Sequence, residues 1–370
     1  MSADYDVFIC HRGVDTKRNL VSVLSGMLRS RGITCLIDYK MNEGAEIMSA
    51  IVDAIKSPRV HIVIFSPNFE TSKWCLNELA IIMDLQNSAG TSDRSRIVIP
   101  IFCNVERAEV LQRAKDSEYN LKTSSAEERQ RWSEAIERLC GLASFDYDSK
   151  TMLQWEELSK VVTEAEIFLK EVSSRSILPH QGQEHQRRST ASDYDVFVCH
   201  LGRDTKLNVV SVLRGMLPSQ DLTCFVHDEM EDEAEMKPHI VEAIRKSKAY
   251  VILLSPDFGT SKRCLEEVLQ IMNRRSALGT SSIIPPVLPI FYDVAPAIVR
   301  DQRSEYDLRK VAGSTAEERG RWFEALEKLS FIKDFELHSR TMFQWEELER
   351  VVKEVRMSLE ESTPRNPYAE

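Results

Sequence analysis

Three polar segments in the first half of this 370-residue chain combine side chains that could bind or transform a ligand. The first is His11-Arg12-Gly13-Val14-Asp15-Thr16. Gly13 permits close backbone approach or a positive φ, Arg12 supplies a counter-charge, and Asp15 or Thr16 can cap a following helix. Two roles fit it: a turn that receives a phosphate through Arg12 and backbone N–H groups, or an ordinary capped turn. The second segment, Asp38-Tyr39-Lys40-Met41-Asn42-Glu43-Gly44, is polar and ends on glycine. It reads either as a lid or as a plain surface loop. The third runs from Ser66 to Leu79. Ser72 can cap the helix that Trp74 begins, which puts Glu78 on that helix's first turns. A lone helical Glu ordinarily faces water. The eight cysteines, Cys10, Cys35, Cys75, Cys103, Cys140, Cys199, Cys224 and Cys264, form no CxxC pair and no Cys/His cluster with zinc spacing. They read as buried, reduced thiols, and no metal is expected. No GxxxxGK[ST] or GxGxxG occurs, so neither a P-loop NTPase nor a Rossmann dehydrogenase is supported.

All three segments recur. Tyr5 to Thr16 returns as Tyr194 to Thr205, an offset of 189 that holds without a gap through Cys35/Cys224, Ser66/Ser255, Glu78/Glu267 and Pro100/Pro289. Trp132/Trp322 and Trp155/Trp345 follow at an offset of 190. The chain is therefore one domain twice: residues 1–172 and 193–361, joined by a Ser- and Gln-rich segment, 173–192, read as a flexible linker. Residues 362–370 read as a frayed tail.

The elements that position these segments alternate. Residues 6–10, 34–37, 61–65 and 97–102 are short runs rich in Val and Ile, without inside/outside alternation, as in strands buried on both faces. Between them, 20–29, 45–56 and 76–85 carry apolar residues at helical spacing. Strand and helix in alternation predict a parallel sheet with helices on both faces. Ligands bind such folds outside the carboxyl ends of the strands, where the three polar segments begin.

Composition sets the bounds. At 42% hydrophobic and 29% charged residues, the chain is too apolar to be disordered. No window approaches the roughly 18–20 apolar residues of a membrane span, and the first residues lack the basic and apolar regions of a secretory signal. The net charge of −10 argues against nucleic acid as the main partner.

The motifs, in this order, resemble a plant-type Toll/interleukin-1 receptor (TIR) domain. The matching stretches are YDVFICHRGVDT (5–16), GITCLID (32–38), VIFSPNFETSKWCLNEL (63–79) and VIPIF (98–102), with VLPIFYDVAPAIVR (287–300) in the second copy. The resemblance implies two flavodoxin-like domains, each with a five-stranded parallel sheet and helices on both faces. It implies one of two activities: scaffolding by TIR–TIR association, or cleavage of NAD⁺ between ribose and nicotinamide in plant immune and cell-death signalling. The products would be nicotinamide with ADP-ribose or a cyclised form. The family's catalytic glutamate maps to Glu78 and Glu267. Arg12, Gly13, Asp38, Gly44, Trp74 and Cys75 are the implied substrate-binding positions. NAD⁺ is the substrate, and no further cofactor is implied. The implied partners are further copies of the chain or other TIR proteins, with no membrane and a cytoplasmic or nuclear location. With no leucine-rich repeat or ATPase module in the sequence, the expectation is a protein built of TIR domains alone.

The chemistry makes a single carboxylate sufficient. The leaving group is already a pyridinium cation and needs no acid, so the barrier is an oxocarbenium-like ribose. A fixed carboxylate stabilises that charge and accepts bonds from ribose hydroxyls. Cys75 then reads as pocket wall or core rather than nucleophile.

The copies differ at the positions that matter. Arg12 becomes Leu201, Gly44 becomes Glu233 and Trp74 becomes Arg263, and the second lid, His227 to Glu235, is densely acidic. An incoming diphosphate would meet like charges there, which Arg263 could partly offset. The first copy is therefore the expected active site, and the second is impaired. Two departures from the family pattern accompany this. His11 stands where the family has Phe, and Ser22-Val23 stands where many members carry a Ser-His pair used in self-association.

Overall fold

The computed structural model describes residues 5–37, 47–88, 95–116, 124–174, 194–227, 236–278 and 284–362. The chain divides into two compact units, Met1–Glu184 and His185–Glu370. The division falls within the segment expected to link the repeats. Residues 175–193, which take in most of that segment, and the tail from 363 lie outside the described residues.

In the first unit, β1 (Val7–His11), β2 (Cys35–Ile37), β3 (Val60–Phe65), β4 (Ile97–Cys103) and β5 (Phe145–Tyr147) form one sheet in the order β2-β1-β3-β4-β5. Every pairing is parallel, with Val7 opposite both Cys35 and Val60, Val60 opposite Ile97, and Ile101 opposite Phe145. β1 and β3 are buried along their whole length, which explains why their sequences show no alternation. Pro100 sits inside β4, where a missing N–H would break a ladder. β5 pairs only with Ile101 to Cys103, so no β5 partner lies opposite Pro100.

The crossover helices are α1 (Gly13–Thr16), a π turn (Lys17–Val21) and α2 (Ser22–Ser30), then α3 (Ile47–Lys56), α4 (Lys73–Ser88), α5 (Arg107–Lys115), α6 (Ala126–Cys140) and α7 (Gln154–Ser174). Helix begins at Gly13, not at residue 20, because its first turns are polar and carry no apolar period to read. Neither Asp15 nor Thr16 caps it. Arg12 is the N-cap residue, without a side-chain cap, and Asp15 and Thr16 lie inside the first turn. α7 runs through Ser174, past the expected domain end at 172, on an amphipathic pattern that continues into the Ser-rich segment. Phe8, Phe65, Phe69, Leu76, Leu79, Phe102, Trp132 and Ile136 form the core between sheet and helices.

The second unit repeats the plan. Its strands are β6 (Val196–His200), β7 (Cys224–Val226), β8 (Ala249–Leu254), β9 (Val287–Tyr292) and β10 (Phe335–Leu337), ordered β7-β6-β8-β9-β10 and all parallel. Its helices are α8 (Gly202–Thr205), a π turn (Lys206–Val210), α9 (Ser211–Ser219), α10 (Pro238–Lys246), α11 (Lys262–Ala277), α12 (Pro296–Arg300), α13 (Ala316–Leu329) and α14 (Gln344–Ser362). All eight cysteines are free thiols, but Cys35 and Cys224, on the outermost strands, are only half-buried. No described helix is long and apolar enough to cross a membrane.

Candidate functional site

The carboxyl end of β1 meets the first turns of α4 in the first unit. Ser72 fixes the start of α4, its Oγ accepting from the Cys75 N–H at 3.3 Å. One turn on, the Cys75 thiol donates to the carbonyl of His11, the last residue of β1, at 3.6 Å. These two bonds join the carboxyl end of β1, where the His11–Thr16 segment begins, to the helix that carries Glu78. α6 pins the same helix from behind, where the Trp132 indole donates to Asn77 Oδ1 at 2.9 Å. In the sequence Trp132 stands out only through its match with Trp322. Its partner Asn77, next to Glu78, gave no signal of its own.

Glu78 does not face water. It is 3% exposed, and its Oε1 accepts the Trp74 indole N–H, one helical turn back, at 2.9 Å. Trp74 itself is half-buried against the core. The indole N–H thus occupies one oxygen of a carboxylate that is almost wholly out of water. A cavity of about 1010 Å³ opens elsewhere in the unit, at the carboxyl ends of β4 and β5, and Glu78 does not line it.

Arg12 is partly exposed at 26% and paired with Asp15, Nη1 to Oδ1 at 2.6 Å, rather than standing free. Asp15 also accepts from the Ser66 hydroxyl at 2.6 Å. Burial pushes the Asp15 carboxyl up, but the Ser66 bond and Arg12 outweigh it and hold it below the usual range. His11 is buried, with Nδ1 3.0 Å from Thr16 Oγ1. Burial lowers its pKa to about 4, so the ring is neutral at pH 7. Gly13 does not take a positive φ, and a Cβ there would meet His11 Cε1 at 3.9 Å, an ordinary contact, so neither backbone conformation nor crowding demands glycine at this position. Burial, above all, raises the Cys75 thiol to about 12, which keeps it protonated. Ser22 and Val23 are both buried. Asp38 and Gly44 lie outside the described residues, as does the acidic lid of the second copy apart from His227.

The second unit keeps the frame and changes the content. Ser261 caps α11 through the Cys264 N–H at 3.1 Å, and the Cys264 thiol donates to the His200 carbonyl at 3.5 Å. The Trp322 indole donates to Glu266 at 2.9 Å, as Trp132 does to Asn77. Glu267 is buried at 1%, but the group that reaches it is the Arg263 guanidinium, Nη1 to Oε1 at 2.5 Å, itself 2% exposed. Arg263 was expected to help offset the acidic lid before a diphosphate. It is instead spent inside the domain, because an Arg four residues before a Glu on one helix face pairs with it once both are buried. Leu201, in place of Arg12, is 1% exposed and part of the core.

Among the described residues, no three His, Cys, Asp or Glu side chains are grouped so as to hold a metal ion. A family model for the TIR domain matches residues 4–186 and again 193–368. The chain belongs to the TIR-domain family, with two copies of the domain. Its relatives are plant disease-resistance proteins. It is 38% identical over 109 residues to the disease resistance-like protein DSC1 of Arabidopsis thaliana, covering 30% of this chain and 8% of that one. It is 36% identical over 149 residues to the Arabidopsis protein SUPPRESSOR OF npr1-1, CONSTITUTIVE 1, covering 39% and 10%. It is 28% identical over 239 residues to the Arabidopsis disease resistance protein RML1B, covering 60% and 22%. The chain therefore spans a small part of these relatives. Among solved structures it is similar to the TIR domains of the activated Roq1 resistosome recognizing the effector XopQ, with a TM-score of 0.37 and 28% identity, covering 43% of this chain and 98% of that one.

Proposed function

We propose that the first domain cleaves the N-glycosidic bond of NAD⁺, with Glu78 as the catalytic carboxylate, in plant immune signalling driven by TIR–TIR association in the cytoplasm or nucleus. The observation that carries the reading is where Glu78 stands: on the first turns of α4, the helix that the Cys75 thiol ties to the last residue of β1, at the carboxyl end of a parallel sheet, where such folds bind ligands. Its burial does not carry the reading: Glu267 is buried as deeply, and a carboxylate that stayed sealed from substrate would defeat it.

In this reading the bond from ribose C1′ to the pyridinium nitrogen breaks with its electron pair passing to nitrogen, and neutral nicotinamide leaves. The oxocarbenium charge at C1′ develops against Glu78, and ribose hydroxyls donate to the same carboxylate. Water adds to C1′ and loses a proton, giving ADP-ribose; attack by a group of the ADP portion instead gives a cyclised product. Arg12 exchanges Asp15 for the diphosphate. Because Glu78 is 3% exposed and bonded to the Trp74 indole, in this reading the carboxylate must be released and uncovered before substrate reaches it, a step that association of domains can control.

The second reading is a non-catalytic scaffold that associates with other TIR proteins. The second domain favours it for that half of the chain, since its carboxylate is already neutralised by Arg263. Nicotinamide release from NAD⁺ by concentrated or crowded full-length protein separates the two. Release that falls by about 10²–10³-fold in Glu78→Gln is expected for the enzyme. No release from the wild type leaves the scaffold.

A further inference from the structure

The two domains hold the same acid with donors of different charge, and this is more than a local repair. In both, the side chain four residues back along the helix donates to Oε1, at 2.9 Å from the Trp74 indole and 2.5 Å from the Arg263 guanidinium. The indole is neutral and leaves the carboxylate its charge. The guanidinium cancels it. We infer that Arg263 is a built-in cation that holds the second domain's site shut by occupying, against Glu267, the place of the positive charge that develops on the substrate. The inference rests on the reading of Glu78 above and extends it to the other domain.

Several features set this pair apart from an ordinary stabilising salt bridge. Arg263 Nη2 lies 3.4 Å from the His200 carbonyl at the end of β6, so the guanidinium bridges helix and strand end. Its Nε has no hydrogen-bond partner among the described residues. A buried pair left partly unsatisfied is weak evidence for stability. Where the first domain presents Arg12, partly exposed, the second presents Leu201 within its core and carries Arg203 on the same turn, 45% exposed and 3.8 Å from Asp257. What separates the two sites is therefore the cation on the carboxylate. Burial works against the guanidinium's charge, but the Glu267 carboxylate bonded to it holds its pKa above the usual value.

The inference is tested by moving the cation. Full-length Trp74→Arg and Trp74→Gln both lose the indole, and only the first installs the charge. The expected result is nicotinamide release at least ~100-fold slower in Trp74→Arg than in Trp74→Gln, the size of one lost electrostatic contribution. Equal rates in the two, beside an active wild type, overturn the inference and leave Glu78 standing. Should Trp74→Arg fail to fold by circular dichroism, the comparison moves to the second domain. In a Glu78→Ala chain, adding Leu201→Arg and Arg263→Trp is expected to raise release at least tenfold over Glu78→Ala alone, and no rise overturns the inference. A wild type that releases no nicotinamide ends the reading of Glu78 and this inference with it.

Discussion

A carboxylate at 3% exposure must be held by something, and at Glu78 the Trp74 indole is the donor at hand. The surrounding groups are equally committed: Arg12 to Asp15, Asp15 to Ser66, and Cys75 to the His11 carbonyl. Cys75, with its pKa near 12, is predicted to resist alkylation by iodoacetamide at pH 8 in the folded chain and to react once the chain is unfolded. Mass spectrometry of the labelled protein reads this, and rapid native labelling would contradict it. At this scale the sequence was only partly legible. The residue types and the spacing of Glu78 and Trp74 were visible, but a single acid on a helix carries no signal of burial. The Arg263–Glu267 spacing was equally visible, yet without the depth of the helix Arg263 reads as a cation able to offset the acidic lid.

Elements were easier to read, because strands buried on both faces write themselves as apolar runs. Four strands of the first unit stand within about a residue of their expected bounds, and the start of the first helix was missed because its polar turns have no period. The two copies also interpret one another. His61, buried in β3, places Nε2 2.8 Å from the Ile55 carbonyl; Tyr250, its counterpart in β8, donates its hydroxyl to the Ile244 carbonyl at 2.8 Å. His61→Tyr is therefore predicted to be tolerated. Burial, chiefly, lowers His61 to about 4, as it does His11. A histidine with a lowered folded pKa binds more protons unfolded than folded between pH 6.5 and 4, so its contribution to stability is intact above 6.5 and lost as pH falls to 4. The loss is up to about 3 kcal/mol per histidine. Urea unfolding at pH 7 and pH 5 should show a smaller acid loss for His61→Tyr than for wild type, and an unchanged pH dependence would contradict the assignment. The cap on α4 is open to a similar check. Ser72→Ala is expected to cost about 1 kcal/mol, read by the same unfolding curves, and no loss would mean that Cys75's N–H is satisfied otherwise.

At the scale of the whole molecule, the repeat was the most legible feature, since its offset holds across strands, caps and site alike. What it concealed is that one frame carries two different sites. Each unit has its own sheet and core, so calorimetry should resolve perturbations of one from the other. Glu267→Ala leaves Arg263 buried without its carboxylate and is predicted to destabilise the second unit by about 3–5 kcal/mol, with the first unit's transition unmoved. A shift confined to the first unit's transition, or no shift, would contradict the buried pairing.

The most direct test compares NAD⁺ consumption by full-length wild type, Glu78→Ala, Glu267→Ala and the double variant under conditions that favour association. The account predicts nicotinamide release by wild type and Glu267→Ala, and its loss in Glu78→Ala and the double variant. Full turnover by Glu78→Ala would contradict it.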